Sequence, residues 1–296
     1  MAILELVIHD VTSYVDTPAG KVYNESNTLS IKTNSSRGVV SYIPESGTAG
    51  SSEKESTTQT CGLFLKSQKG NIHEYALNIT KINFTKKMYQ PTEVVVNFSL
   101  IMLGQGNQQT GFEPVSRSVL NEAFHHCKVS LLSLVDENTT DDDKKTIGND
   151  YYVYEIEPRY TSDAMFLTMK IYSVDKMLTL DIDSTTFVAK KFASDVIPKG
   201  LEKYPLPYNS KKKISFDSTN MKVLAYKKDT EHIFPYLVQY NESFYDMMKR
   251  TANRWAEFLY YEKGKLHLGY NDEITKEFKS LPSGYELTYG GVETAK

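Results

Sequence analysis

Residues 73–86 and 93–103 are two long stretches rich in Val, Ile, Phe and Thr, interrupted only by a short segment containing MYQP at 88–91. β-Branched and aromatic side chains pack well on a pleated surface. Pro91 has no N–H to give a ladder, so it belongs in a turn. The two stretches are expected to form a hairpin with its loop at 87–92. The same texture recurs along the chain. Residues 3–11 place Leu4, Leu6 and Ile8 on one face, 61–65 and 129–135 follow, and 151–157 and 164–172 alternate around a turn at 158–163. Residues 177–182 and 185–191 read as further strands, as do 222–226 and 236–240. With 21 Tyr and 13 Phe among these segments, the chain is expected to be mainly β with some α.

One helix is expected in each half. Ser116 can cap the first, whose apolar positions are Val119, Leu120, Ala123, Phe124 and Cys127. Polar or charged tracts at 46–60 and 136–150 read as loops, and residues 104–114 carry turn chemistry. Around 198–213 prolines and a basic run mark a connector. The expected organisation is a barrel-like β subdomain with one inserted helix at 1–192 and a connector at 193–222. An α+β subdomain at 223–296 then leads into a second, incomplete barrel.

Composition excludes several functions. A net charge of −3 over 296 residues gives no general pull towards nucleic acid or anionic membrane. The longest purely apolar run, at 100–103, is far below the ~20 residues of a membrane span. The N-terminus reads as lacking a secretory signal, and Cys61 and Cys127 are too few for a disulfide framework. The Asn78 and Asn97 acceptor triplets are therefore read as chance.

No motif points to chemistry. His125, His126 and Cys127 are adjacent, so on a helix their side chains diverge by about 100° each and do not converge on a metal. Asp141, Asp142 and Asp143 lack the alternating spacing and distal Glu of a calcium loop. Phosphate-loop, dinucleotide and nucleophile-elbow patterns are missing, and the lysine pairs form no stripe interleaved with aromatics. Carboxylates are plentiful, but nothing singles out a glycosidase pair. No catalytic, cofactor-binding or metal-ligating set is expected.

The most regular segment is VQYNESFYDMMKRTANRWAEFLYYEKGKLHLGY, at 238–270. Ser243 is placed as an N-cap with Asp246 three residues on. Phe244, Met247, Met248, Thr251, Ala252, Trp255 and Ala256 then line one apolar face. A two-residue turn at Lys263-Gly264 predicts a hairpin directly afterwards.

This segment resembles the hub domain of VgrG proteins of type VI secretion systems, which is similar in turn to the baseplate hub of contractile phage tails. Gln239, Tyr240, Glu242, Ser243, Arg250, residues 258–262, Gly264, Leu266 and Leu268 carry the likeness, with Trp255 inside the same motif. Residues 82–100 and 151–180 resemble barrel strands of that family. The resemblance implies a structural protein without catalysis, a homotrimer adapting a hexameric tube protein to a spike and tip protein. Baseplate components and secreted effectors would be further partners. It implies assembly in the bacterial cytoplasm and ejection with the tube. Downstream oligonucleotide-fold and needle segments would follow in a full spike, so a fragment or a shorter hub is expected. The other readings are a cell-wall-glycan hydrolase and a stand-alone β-rich module binding peptide or glycan.

One departure stands out. Many members of the family it resembles have an acidic run ending in glycine where this chain has NRWAE, with Ala256 at the glycine position. A left-handed helix ending on alanine costs about 1 kcal/mol or more, so the helix is expected to end without the glycine-type cap.

Overall fold

The computed structural model describes residues 3–16, 22–33, 41–43, 63–103, 112–134, 145–161, 164–221, 233–269 and 286–290. The expected strand at 222–226, the loops at 46–60 and 104–111, Cys61 and the acidic triplet at 141–143 lie outside the described residues. The fold is mainly β with some helix.

The principal sheet is assembled from β1 (Ile3–Asp16), β2 (Val22–Lys32), β3 (Ser41–Ile43), β4 (Leu63–Lys66), β5 (Ile72–Lys87) and β6 (Glu93–Leu103). It continues with β7 (Lys128–Leu134), β8 (Lys145–Tyr160) and β9 (Met165–Ser173). Its order is β5-β6-β9-β8-β7-β1-β2-β3, with β4 beside β5. The sheet curls far enough to bring β1 against β4 and β2 near β5, forming a half-barrel. The expected β5–β6 hairpin is present and antiparallel, with Thr85 opposite Glu93. A later strand, β17 (Glu286–Gly290), joins β5 in parallel.

Bulges set which residues face the core. In β5 the buried Tyr75 and Leu77 occupy odd positions, whereas the buried Ile82, Phe84 and Lys86 occupy even ones. One extra residue between Ile79 and Lys81 switches the facing side. Another irregularity in β1 carries the inward pattern from Leu6 and Ile8 to Val11. The helix α1 (Arg117–Phe124) lies over β1 and β8 and buries Leu120, Ala123 and Phe124. Its first turn is capped by Ser116 Oγ, which accepts from Val119 N at 3.4 Å.

The expected strand at 177–182 is instead a 3-10 turn, Val174–Thr179. The adjacent Val174 and Asp175 are both buried along with Leu178, whereas neighbouring residues of a strand would face opposite sides. β10 (Ile182–Lys191) starts only after it. The segment read as a connector holds a π turn (Phe192–Val196), α2 (Ile197–Leu201) and a small hairpin of β11 (Pro205–Leu206) and β12 (Asn209–Lys213). β10 pairs with β14 (Ile233–Ser243) as a two-stranded ribbon, which runs into α3 (Phe244–Arg254). β15 (Leu259–Glu262) and β16 (Lys265–Leu268) form the expected hairpin, and β13 (Ser215–Asp217) adds to β16 in parallel. The buried apolar core runs without a break from the half-barrel into α3 and this hairpin.

Candidate functional site: the joint between half-barrel and helix-hairpin

Four of the motif residues meet at the corner where β14 becomes α3. Ser243 Oγ accepts from Asp246 N at 3.0 Å and donates to Asp246 Oδ2 at 2.7 Å, so the acidic side chain returns to the cap hydroxyl. Arg250, on the second turn, reaches back to Glu242. Its Nη2 donates to Oε1 at 2.5 Å and its Nε to Oε2 at 3.3 Å. That fork is bidentate, and Nη2 also donates to the Val238 carbonyl at 2.7 Å. Buried Gln239 donates from Nε2 to the Glu242 carbonyl at 2.9 Å, fixing the strand-to-helix corner. Tyr240 stands apart from this cluster, 78% exposed on the outer face of the ribbon.

At the far end of α3, Trp255 stacks on Phe234 with ring centroids 4.7 Å apart and meets Phe192 edge-on at 5.8 Å. The helix does not end as expected. Ala256 adopts φ 53°, the left-handed conformation usually given to glycine. Ala256 N donates to Asn253 O at 3.1 Å and Glu257 N to Ala252 O at 3.0 Å, the paired bonds of a Schellman ending. Alanine thus occupies a cap position that usually falls to glycine. The reason lies beyond the helix: Tyr89, in the β5–β6 turn, binds the chain on both sides of the next bend. Its hydroxyl donates to Glu257 O at 2.7 Å and its N–H to Leu259 O at 2.8 Å.

The hairpin turn has φ 47° at Lys263 and 78° at Gly264, the two positive values of a type I′ turn. A Cβ on Gly264 would come within 2.5 Å of Asp150 Oδ2. Asp150 belongs to β8, where Lys128 pairs with it at 2.6 Å and the Tyr208 hydroxyl donates to it at 3.1 Å. Next to this contact, Lys86 of β5 and Glu262 of β15 form an ion pair at 2.8 Å. The motif residues, then, set the internal geometry of the helix-hairpin, whereas Lys86, Tyr89 and Asp150 fasten it to the half-barrel. Sequence reading missed this second group, because the partners are remote in the chain.

The remaining candidates are structural in their surroundings. His125 ends α1, donating its N–H to Asn121 O at 2.9 Å. His126 (φ 65°) stacks on it at 3.9 Å, and burial followed by the His125 charge lowers its pKa. Burial holds the Cys127 thiol up at about 12, with the Asp10 charge adding to it. Among the described residues no three His, Cys, Asp or Glu side chains converge as a metal site, and no helix is long and apolar enough to cross a membrane.

Fold and joint together define a half-barrel carrying a docked helix-hairpin module. No family model matches the sequence, and no curated protein matches it. Solved structures similar to the chain include phage-tail and type VI secretion proteins. The 43 kDa tail protein of prophage MuSo2 from Shewanella oneidensis is 13% identical over 70% of this chain and 52% of that one, with a TM-score of 0.42. The E. coli c3393 protein, a type VI secretion component, is 9% identical over 67% and 49%, with a TM-score of 0.40. The Francisella PdpA-VgrG complex is 10% identical over 96% of this chain and 30% of that one, at 0.43. The chain therefore spans about half or less of the length of these proteins.

Proposed function

We propose that the protein is a structural hub or spike-base component of a contractile injection apparatus, acting as an adaptor between tube and spike by interfaces alone. In this reading the barrel-like unit at 1–192, the connector at 193–222 and the α+β unit at 223–296 work as one rigid piece. Gln239, Glu242, Ser243, Arg250, Trp255 and Gly264 keep its shape. Homotrimer formation, contact with a hexameric tube protein, and attachment of a spike and tip protein are its partners' side of the same proposal. Assembly would take place in the bacterial cytoplasm, before ejection with the tube.

The observation that carries the reading is the outer face of the β10–β14 ribbon. Ile182, Val188, Tyr236, Val238 and Tyr240 are between 43% and 78% exposed there, with Val188 opposite Tyr236 across the strands. An uncharged apolar and aromatic face of this kind suits burial against another copy of the chain. The bonds along the joint supply the stiffness an adaptor needs.

The test is the solution mass of the full chain, measured alone and with tube protein. A threefold mass that falls to one chain in the Tyr236→Lys, Tyr240→Lys double variant is the expected result. A strict monomer that binds no tube protein overturns the proposal.

A further inference from the structure

Asp175 is the second residue of the 3-10 turn immediately after β9, and none of its surface reaches solvent. Its Oδ1 accepts from the Ser173 hydroxyl, which itself accepts from Thr92 N at 2.8 Å. Its Oδ2 faces the hydroxyl of Tyr245 on α3. Both of those oxygens are buried, and neither completes a hydrogen bond in this conformation.

Burial is what disfavours a carboxylate here. Tyr151 and Tyr152 reach the group from β8, Tyr261 from β15 and Tyr245 from α3, all phenols. Glu262 adds negative charge near Tyr151, Asp150 adds it near Tyr261, and Asp246 near Tyr245. Lys176 follows in sequence and its charge favours the anion, but its ammonium sits over the Tyr154 and Tyr172 rings at 5.8 and 5.1 Å. Desolvation outweighs the Ser173 and Tyr245 hydroxyls, both of which favour the anion, and raises the carboxyl to about 7.

We propose that Asp175 makes the contact between α3 and the half-barrel proton-linked: the neutral acid is buried beneath α3 without a charge, and ionisation leaves there a desolvated anion that the Ser173 and Tyr245 hydroxyls only partly offset. A raised acid pKa in the fold means stability is fullest below the unfolded value and declines as pH rises through the folded one. The device lies within one chain, so it is independent of the hub reading.

Amide hydrogen exchange across α3, corrected for intrinsic rates, tests it between about pH 5 and about pH 8.5. Protection of the 244–254 amides should fall by roughly tenfold or more over that span in the natural chain. In Asp175→Asn it should stay level, and this variant should melt higher than the natural chain at the alkaline end. An infrared band of a buried carboxylic acid should be present at the acid end and lost in the variant. Level protection in the natural chain, the same slope in Asp175→Asn, or no acid band each overturns the proposal. The first and third results need no variant to fold.

Discussion

Lys86 and Glu262 stand 176 positions apart and meet at 2.8 Å, with side chains only 10% and 13% exposed. The pair joins β5 of the half-barrel to β15 of the helix-hairpin. Lys86 reaches it only because the bulge after Ile79 turns the end of β5 inward. Removing one partner strands the other charge in a largely dry setting. Lys86→Met should therefore cost about 3 kcal/mol in urea unfolding, and adding Glu262→Leu should recover most of that loss. Equal losses in the single and double variants would show that the charges are not coupled.

Ala256 holds a left-handed backbone at φ 53° with an exposed side chain. Replacing it with glycine relieves the steric cost of the Cβ and leaves the Schellman bonds in place. Ala256→Gly should raise stability by about 1 kcal/mol, measured by denaturant midpoint at constant slope. A clear loss of stability would mean that the ending carries no strain.

Gly200, in α2, lies under α3. A Cβ placed there would come within 1.9 Å of the Phe244 ring, and Phe244 is buried as the first residue of α3. Its partner Tyr204 stacks on the same ring at 6.1 Å, so the ring has little room to yield. Gly200→Ala should destabilise by about 2 kcal/mol, while Gly200→Ala with Phe244→Leu should be less harmful than the two changes summed.

Glu113 secures the segment before α1 to the β4–β5 turn. Its Oε2 accepts from Ser67 Oγ at 2.7 Å and pairs with His73 Nε2 at 3.0 Å, with Asn71 and Lys69 also donating to the carboxylate. The Ser67 and His73 bonds lead in lowering its pKa to about 2. Because the folded pKa is depressed, its contribution is present above about 4.5 and is lost as pH falls through about 2. Glu113→Gln should melt lower than the natural chain at neutral pH, and the gap should close on acidification. A gap independent of pH would remove the carboxylate from the account.

Local order was legible. The β5–β6 hairpin followed from two β-branched runs and Pro91. The cap at Ser243, the apolar face of α3 and the turn at Lys263-Gly264 followed from spacing over a few residues. Two local readings failed for identifiable reasons. The segment after β9 looks like a strand, yet a tight turn buries the adjacent Val174 and Asp175 together with Leu178. Ala256 looked unsuited to a left-handed cap, yet bonds from Tyr89 to the following bend hold the chain there.

By itself, the sequence determined the β-rich class, the start of α3 and the hairpin that follows it. Those depend on propensities, capping and periodicity, all of which act between near neighbours. Tertiary structure alone decided that Lys86 faces Glu262, that Asp150 lies against Gly264, and that Asp175 is shut among phenols beneath α3. A bulge reverses the facing of every later residue in its strand. A buried group takes its charge state from residues brought together by the fold, whose separation in sequence carries no trace of their contact.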